Sequence, residues 1–362
     1  MGRWTESVEQ YVLDVIFERR RDFVARATSA VLLGLSKVYQ LCVQIRLRLW
    51  QHRIFRDHTL GCQVVSIGNL TTGGTGKTPM VLWTAQRLLA EGQKAAILTR
   101  GYRGQALAGG TTSDEVQMLT ERLGSRVALG VGADRFARGS ELARESVEWF
   151  VLDDGFQHLQ LGRDADIVLI DATNPFGGGH LLPSGRLREP RSALARADIV
   201  VITRSDHAPA IEAAIRRHSG APIFYARPQL DSIRVLRGDY PGEEDAAARS
   251  RRFFAFCGVG NPSAFLADTE SWGLQVMGHE FFPDHHHYMQ HNLDTIGEKA
   301  HVAGADGLLC TEKDVFNLAS VRWRPLDIWF CRISMRIGRP DEFWQAVTEI
   351  AQSRARSRRP GT

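Results

Sequence analysis

The sequence predicts an α/β fold: a doubly wound, mostly parallel sheet, followed by a second, smaller α/β domain and preceded by a basic helix. Three observations predict it. Short runs dense in Val, Ile and Leu recur at 63–67, 94–99, 126–130, 149–152, 165–170, 198–203 and 222–225, as expected of strands buried on both faces. Helical periodicity fills several of the gaps, at 80–91, 115–123, 136–144 and 211–218. After an acidic, polar stretch the same alternation returns in shorter form at 253–259, 274–282, 307–310 and 328–333. The chain therefore divides into a basic N-terminal helical region (1–60), a larger domain (61–236), a linker (237–252), a smaller domain (253–350) and a basic tail (351–362).

The N-terminal region comes first. Between Arg19 and Arg56 nine basic residues face one acidic residue, Asp22, and the tail adds Arg354, Arg356, Arg358 and Arg359, although the net charge is only +4. The apolar segment 27–45 is broken by Lys37, and its longest uncharged run, 27–36, falls short of the roughly 18–20 residues that span a bilayer. With flanking arginines and Trp50 it reads as an amphipathic helix lying at an anionic membrane surface; a helix packed on the protein's own core, or a single span, also fits. The charged start does not resemble a secretory signal. The basic ends are not interleaved with stacking aromatics, so nucleic-acid binding finds no support. In composition, 43% hydrophobic and 24% charged residues are those of a soluble globular protein, and 362 residues suffice for two cores. Five cysteines without C-x-x-C spacing read as reduced thiols, with Cys257, Cys310 and Cys331 in core runs.

The first strand feeds the most informative stretch, Ser66-Ile67-Gly68-Asn69-Leu70-Thr71-Thr72-Gly73-Gly74-Thr75-Gly76-Lys77-Thr78-Pro79, which opens a helical run. Strand, glycine-rich loop and helix in that order make a phosphate-binding loop. Small residues let backbone N–H groups turn onto phosphate oxygens, and the helix N-terminus adds partial positive charge. Lys77 can reach the outer phosphates and Thr78 can ligate Mg²⁺. Thr71 stands where the usual spacing has glycine. The larger domain is thus P-loop NTPase-like and binds a nucleoside triphosphate.

Further along, Asp153 and Asp154 close the strand 149–152, where phosphate-loop enzymes place a Mg²⁺-binding or water-positioning acid; on an extended chain they point to opposite sides. Ser113-Asp114-Glu115 precedes a helix and fits plain capping by Ser113, or a carboxylate base for a substrate hydroxyl. In Phe282-Pro283-Asp284-His285-His286-His287-Tyr288, consecutive histidines do not converge on one ion, whereas a His held by a neighbouring Asp could assist a base; a surface loop fits equally. The loop 177–190 carries Arg186 and Arg188 among apolar residues, as an amphiphilic substrate with an anionic headgroup would require. Residues 99–104, with Arg100 and Tyr102, form a similar candidate. Two strand-ending tetrads, 203–206 and 311–314, loosely match base-reading elements of phosphate-loop nucleotidases.

Taken together, GNLTTGGTGKTP, LTRGYRG, SDE, DDGFQH, GGGHLLPSGRLREP, CGVGNP, FPDHHHY and CTEKD, in that order from Gly68 to Asp314, closely resemble the tetraacyldisaccharide 4′-kinase family. Thr71 agrees with that family's own loop, whereas Ser113 stands where the family often has glycine. The resemblance implies two α/β/α domains with a membrane-engaging N-terminal helix. It implies Mg²⁺-dependent transfer of the γ-phosphoryl of ATP to the 4′-hydroxyl of a tetraacylated glucosamine disaccharide 1-phosphate. The product is the bis-phosphorylated lipid A precursor, made at the cytoplasmic face of the inner membrane by an enzyme expected to be monomeric. Carried onto this chain, it implies Asp114 as catalytic base, with Asp284 and His285 as its supporting dyad and Lys77 on the transferred phosphate. Thr71, Thr72, Gly73, Gly74, Thr75, Gly76, Lys77 and Thr78 would cradle the nucleotide, and Thr78, Asp153 and Asp154 would hold Mg²⁺. Asn69, Arg100, Tyr102, Glu115, Gln157, Arg188 and Glu189 would meet the substrate. Asp114 and His285 fall in different expected domains, so closure would have to bring them together. A membrane-associated partitioning or insertion ATPase would share the phosphate loop and basic helix. Such proteins commonly carry a second lysine early in the loop, where this chain has Thr71 and Thr72, and they give the DHHHY and HLLPSGRLREP segments no task.

Overall fold

The computed structural model describes residues 11–12, 14–16, 20, 22–101, 105–107, 110–237, 244–318 and 326–358. Its contacts separate two units, each built from discontinuous segments: 1–77, 154–226 and 337–362 in the first, 78–153 and 227–336 in the second.

In the first unit, Gln63–Asn69 pairs in parallel with Ala165–Asp171, that strand with Ile199–Thr203, and the last with the start of Ile223–Arg237. Each of the three inner strands is buried almost throughout, which is why the sequence shows continuous apolar runs rather than alternation. Phe156, Val168, Val200, Ile202 and Ile215 form the core beneath the loop 176–187. The C-terminal helix Pro340–Arg358 ties its basic stretch to the sheet through Arg354, which grips both oxygens of Asp198.

The helix Phe23–Gln51 also belongs to this unit, with Asp22 accepting from the Ala25 amide at 2.9 Å as its N-cap. Ala25, Ser36 and Val43 are its buried residues, while Phe23, Val24, Val31, Leu35, Val38 and Leu41 are exposed. Its 29 residues extend about 43 Å, against a hydrocarbon core of about 30 Å. By length and composition this helix can cross a membrane. Lys37 does not interrupt the helix, so its length also fits the single span that the sequence left as an alternative.

In the second unit, Ala95–Thr99 lies between Ala128–Val131 and Trp149–Asp153, parallel to both. A four-strand ladder runs Gln275–Phe281, Arg252–Cys257, Gly307–Thr311, Asp327–Ile337, again parallel. Cys257, Cys310 and Cys331 are buried in it. The helix Asp114–Leu123 starts on Ser113, and the short helix Glu312–Phe316 starts on Thr311 in a capping box with Asp314. Part of the stretch read as a linker is the helix Glu244–Arg249.

Candidate active site

The strand Gln63–Asn69 ends in the glycine-rich loop, which turns into the helix Lys77–Ala90. Gly76, at φ +87°, takes a backbone conformation that only glycine enters without steric cost. Thr71 bridges Leu187 in extended form, and Thr72 N donates to the Arg186 carbonyl at 2.8 Å, so the departure from glycine at Thr71 costs no strain. Asn69 Nδ2 donates to Thr75 Oγ1 at 3.0 Å, and Thr203 Oγ1 donates to the Thr75 carbonyl at 3.0 Å. The threonines thus fix the loop from behind, with Gly73 and Gly74 on its rim.

Charges converge beside this loop. Lys77 Nζ donates to Asn69 Oδ1 at 3.2 Å and lies 3.4 Å from Asp154 Oδ1. Arg188 Nη1 reaches both Asp154 oxygens, at 2.9 and 2.8 Å, and Gln157 Oε1 at 3.3 Å; Gln157 Nε2 donates to the Asn69 carbonyl at 2.9 Å. Asp154 sits at φ +49°, a left-handed conformation that needs such support in a non-glycine residue. Glu189 is buried; its Oε2 accepts from Arg196 at 2.6 Å, and its Oε1 has no hydrogen-bond partner among the described residues. The N-terminal helix meets the same network: Tyr39 donates to the Arg188 carbonyl at 2.9 Å and Arg46 to the Gln157 carbonyl at 2.6 Å.

In the second unit, Asp114 is the first residue of its helix, and Ser113 Oγ caps that helix by accepting from Val116 N at 3.4 Å. Ser113 supplies the cap, and the Asp114 carboxylate makes other contacts. Asp114 Oδ1 accepts from Glu115 N at 2.8 Å; Oδ2 accepts from His285 Nδ1 at 2.8 Å and Asn317 Nδ2 at 3.4 Å. Asp114 and His285 lie in the same unit and touch without any closure. His285 Nε2 stands 3.9 Å from Asp284 Oδ1, and His285 itself is left-handed at φ +60°. Glu115 pairs with Lys313.

The electrostatics follow from these contacts. Burial alone would raise the Asp114 carboxyl, but the His285 hydrogen bond and the Lys313 charge outweigh it and hold the group below its usual range. The same hydrogen bond pushes the His285 imidazole up, against burial. Lys313 holds Glu115 low, and in return Glu115 and Asp114 raise Lys313 despite its burial. Each of Asp114 and His285 therefore favours the charged form of the other.

Asp153 is buried and accepts from Thr99 Oγ1 at 3.2 Å, so the two adjacent aspartates have separate partners. Among the described residues no cluster of three or more His, Cys, Asp or Glu is placed to hold a metal. Thr78, Asp153 and Asp154 supply hard oxygens, which fits Mg²⁺, a cation that keeps several waters and takes one or two carboxylates. His286 instead stacks on Phe282, with ring centroids 4.6 Å apart. Arg100 is exposed at its strand end, and Tyr102 lies outside the described residues.

A family model described as tetraacyldisaccharide-1-P 4′-kinase matches residues 28–352. The chain belongs to this family. A tetraacyldisaccharide 4′-kinase of Pelobacter propionicus is 36% identical over 350 residues, covering 92% of this chain and 95% of the relative. One from Geobacter metallireducens is 36% identical over 345 residues, covering 90% and 99%. Among solved structures, the "apo" form of LpxK from Aquifex aeolicus in complex with ATP matches with a TM-score of 0.67 at 26% identity, covering 89% of this chain and 99% of that one. Membership displaces the partitioning-ATPase reading.

The sequence tied 311–314 only loosely to a nucleotide base and gave Asn317, Tyr39 and Arg46 no task. In the structure Lys313 pairs with Glu115 and Asn317 reaches Asp114. The other tetrad is similarly engaged, Arg204 with Asp171 at 2.9 Å. The T-x-x-D capping pattern at Thr311 was a legible helix-start signal; Asn317 carried none.

Proposed function

We infer that the protein transfers the γ-phosphoryl of ATP to the 4′-hydroxyl of a tetraacylated glucosamine disaccharide 1-phosphate. This is the lipid A pathway step that gives the bis-phosphorylated precursor. The family match supports the reaction, and the 2.8 Å contact between Asp114 and His285 supports its chemistry. Backbone amides of 71–78 would hold the phosphates, with Lys77 releasing Asp154 to meet the transferred group. Mg²⁺ held by Thr78, Asp153 and Asp154 would supply charge neutralisation on the phosphate oxygens. Asp114 would take the acceptor hydroxyl proton, with His285 sharing it and Asp284 supporting the imidazole. Arg188 and the buried, unpartnered Oε1 of Glu189 offer one cation and one acceptor to the sugar headgroup, alongside Asn69, Arg100, Tyr102, Glu115 and Gln157. The exposed apolar side chains of Phe23–Gln51 support a seat on, or anchor in, the anionic cytoplasmic face of the inner membrane.

Incubation with γ-labelled ATP, Mg²⁺ and the disaccharide monophosphate in detergent tests the reading. Label should move to the lipid. Label released only as free phosphate would overturn it.

A further inference from the structure

The segment Thr311–Asn317 overlaps a tetrad, 311–314, that the sequence tied loosely to a nucleotide base, yet its side chains reach Asp114 directly and the His285 loop through Gly258 and Tyr288. Glu312 takes a bidentate grip from Arg122, on the helix that Asp114 begins, at 3.0 and 2.9 Å. Lys313 pairs with Glu115, and Asn317 Nδ2 reaches Asp114 itself. Asp314 works on the other side. Its Oδ1 accepts from Gly258 N at 2.8 Å and from Tyr288 Oη at 2.7 Å, while Oδ2 accepts from Thr311 N at 3.1 Å and Thr311 Oγ1 at 2.6 Å. Gly258 in turn accepts from the His285 amide at 3.0 Å. Tyr288 closes the same loop three residues beyond His285 and is buried.

From this geometry we propose that Asp314 is a positioning residue for phosphoryl transfer, holding the 283–288 loop through Gly258 and Tyr288 so that His285 meets Asp114. A five-residue helix, Glu312–Phe316, thereby registers the imidazole against the carboxylate from both sides. The need is physical. His285 is left-handed, and such a backbone persists only where its surroundings over-determine it. The fit at Gly258 is correspondingly close: a Cβ there would stand 2.9 Å from the Pro283 carbonyl oxygen and 3.0 Å from His286 Cβ. Asp314 is 1% exposed and all four of its contacts are with donors. An amide in its place must turn an NH₂ toward donors on one side.

The inference rests on reading Asp114 and His285 as the acceptor-side pair, and the test separates the two claims. Asp314→Asn, Tyr288→Phe and Gly258→Ala are compared for kcat, for KM of ATP, and for the His285 imidazole pKa by NMR. The groups facing that imidazole are Asp114, Asp284 and Lys313. The expected result is a kcat lowered at least about tenfold in Asp314→Asn and Gly258→Ala, less in Tyr288→Phe, with KM for ATP unchanged. The imidazole pKa should fall toward its ordinary value of 6.5. Gly258→Ala displaces the loop with Asp314 intact, so the test survives if Asp314→Asn does not fold. Variants that melt earlier but keep the parental imidazole pKa and kcat would overturn the proposal, leaving Asp314 as packing alone. A shifted imidazole pKa with unchanged kcat would leave the positioning in place and remove the pair from the chemistry.

Discussion

The carboxylate beside Lys77, Asp154, is 36% exposed, whereas the carboxylate beside His285, Asp114, is 5% exposed; the cations, at 16% and 14%, are alike. The two regions are assembled differently for a reason. Partly exposed pairs contribute only about 0–1 kcal/mol, so on the proposed reading Arg188 and Lys77 would exchange the Asp154 carboxylate for phosphate oxygens at little cost. Removing one partner of a mostly buried pair costs about 3–5 kcal/mol, so on the proposed reading Asp114 and His285 would be held together before an acceptor arrives. On the proposed reading, the nucleotide side would rearrange and the acceptor side would stay.

The largest expected effect lies on the nucleotide side. Lys77→Ala should lower label transfer by about 10²–10³ and weaken ATP binding with it, as expected on losing a cation aimed at developing charge. Measured ATP affinity and transfer rate check this; loss of transfer with unchanged affinity would assign Lys77 to the chemical step alone.

A smaller effect separates the regions by pH. The lowered Asp114 contributes stability that is present above its unfolded pKa and lost as pH falls through the folded value, below the usual carboxylate range. The raised His285 contributes stability that is complete below 6.5 and lost as pH rises through its folded value above that. Parent and Asp114→Asn should therefore converge in denaturant midpoint at acid pH, differ most between the usual carboxylate range and 6.5, and keep part of the difference at higher pH, where Lys313 still faces the carboxylate. A constant difference across the pH range would contradict the coupling of Asp114 to His285.

The smallest effect sits at the edge of the nucleotide network. Tyr39→Phe removes one hydrogen bond to the Arg188 carbonyl and should cost about 0.5–1.5 kcal/mol, a few-fold in rate, with vesicle binding unchanged. Lost vesicle binding would make that hydroxyl part of the membrane contact instead.

The same contrast explains what the sequence could tell. The phosphate loop is contiguous, so its strand, glycines, Lys77 and Thr78 could be read in order, and the parallel strands announced themselves as unbroken apolar runs. Asp114 and His285 are 171 residues apart. Spacing could nominate each, but only the family resemblance joined them. Asn317 and Arg122 reach the site through tertiary contacts alone, with no local pattern to mark them. The length of the helix Phe23–Gln51 was less legible, because a charge count treats Lys37 as a break, whereas one side chain does not interrupt a hydrogen-bonded helix.

The division of labour is tested most directly in Asp114→Asn, by titrating ATP calorimetrically and measuring phosphoryl transfer to the disaccharide monophosphate on the same preparation. The account predicts parental ATP affinity with transfer reduced by about 10² or more. Transfer near the parental rate, at parental affinity, would contradict it.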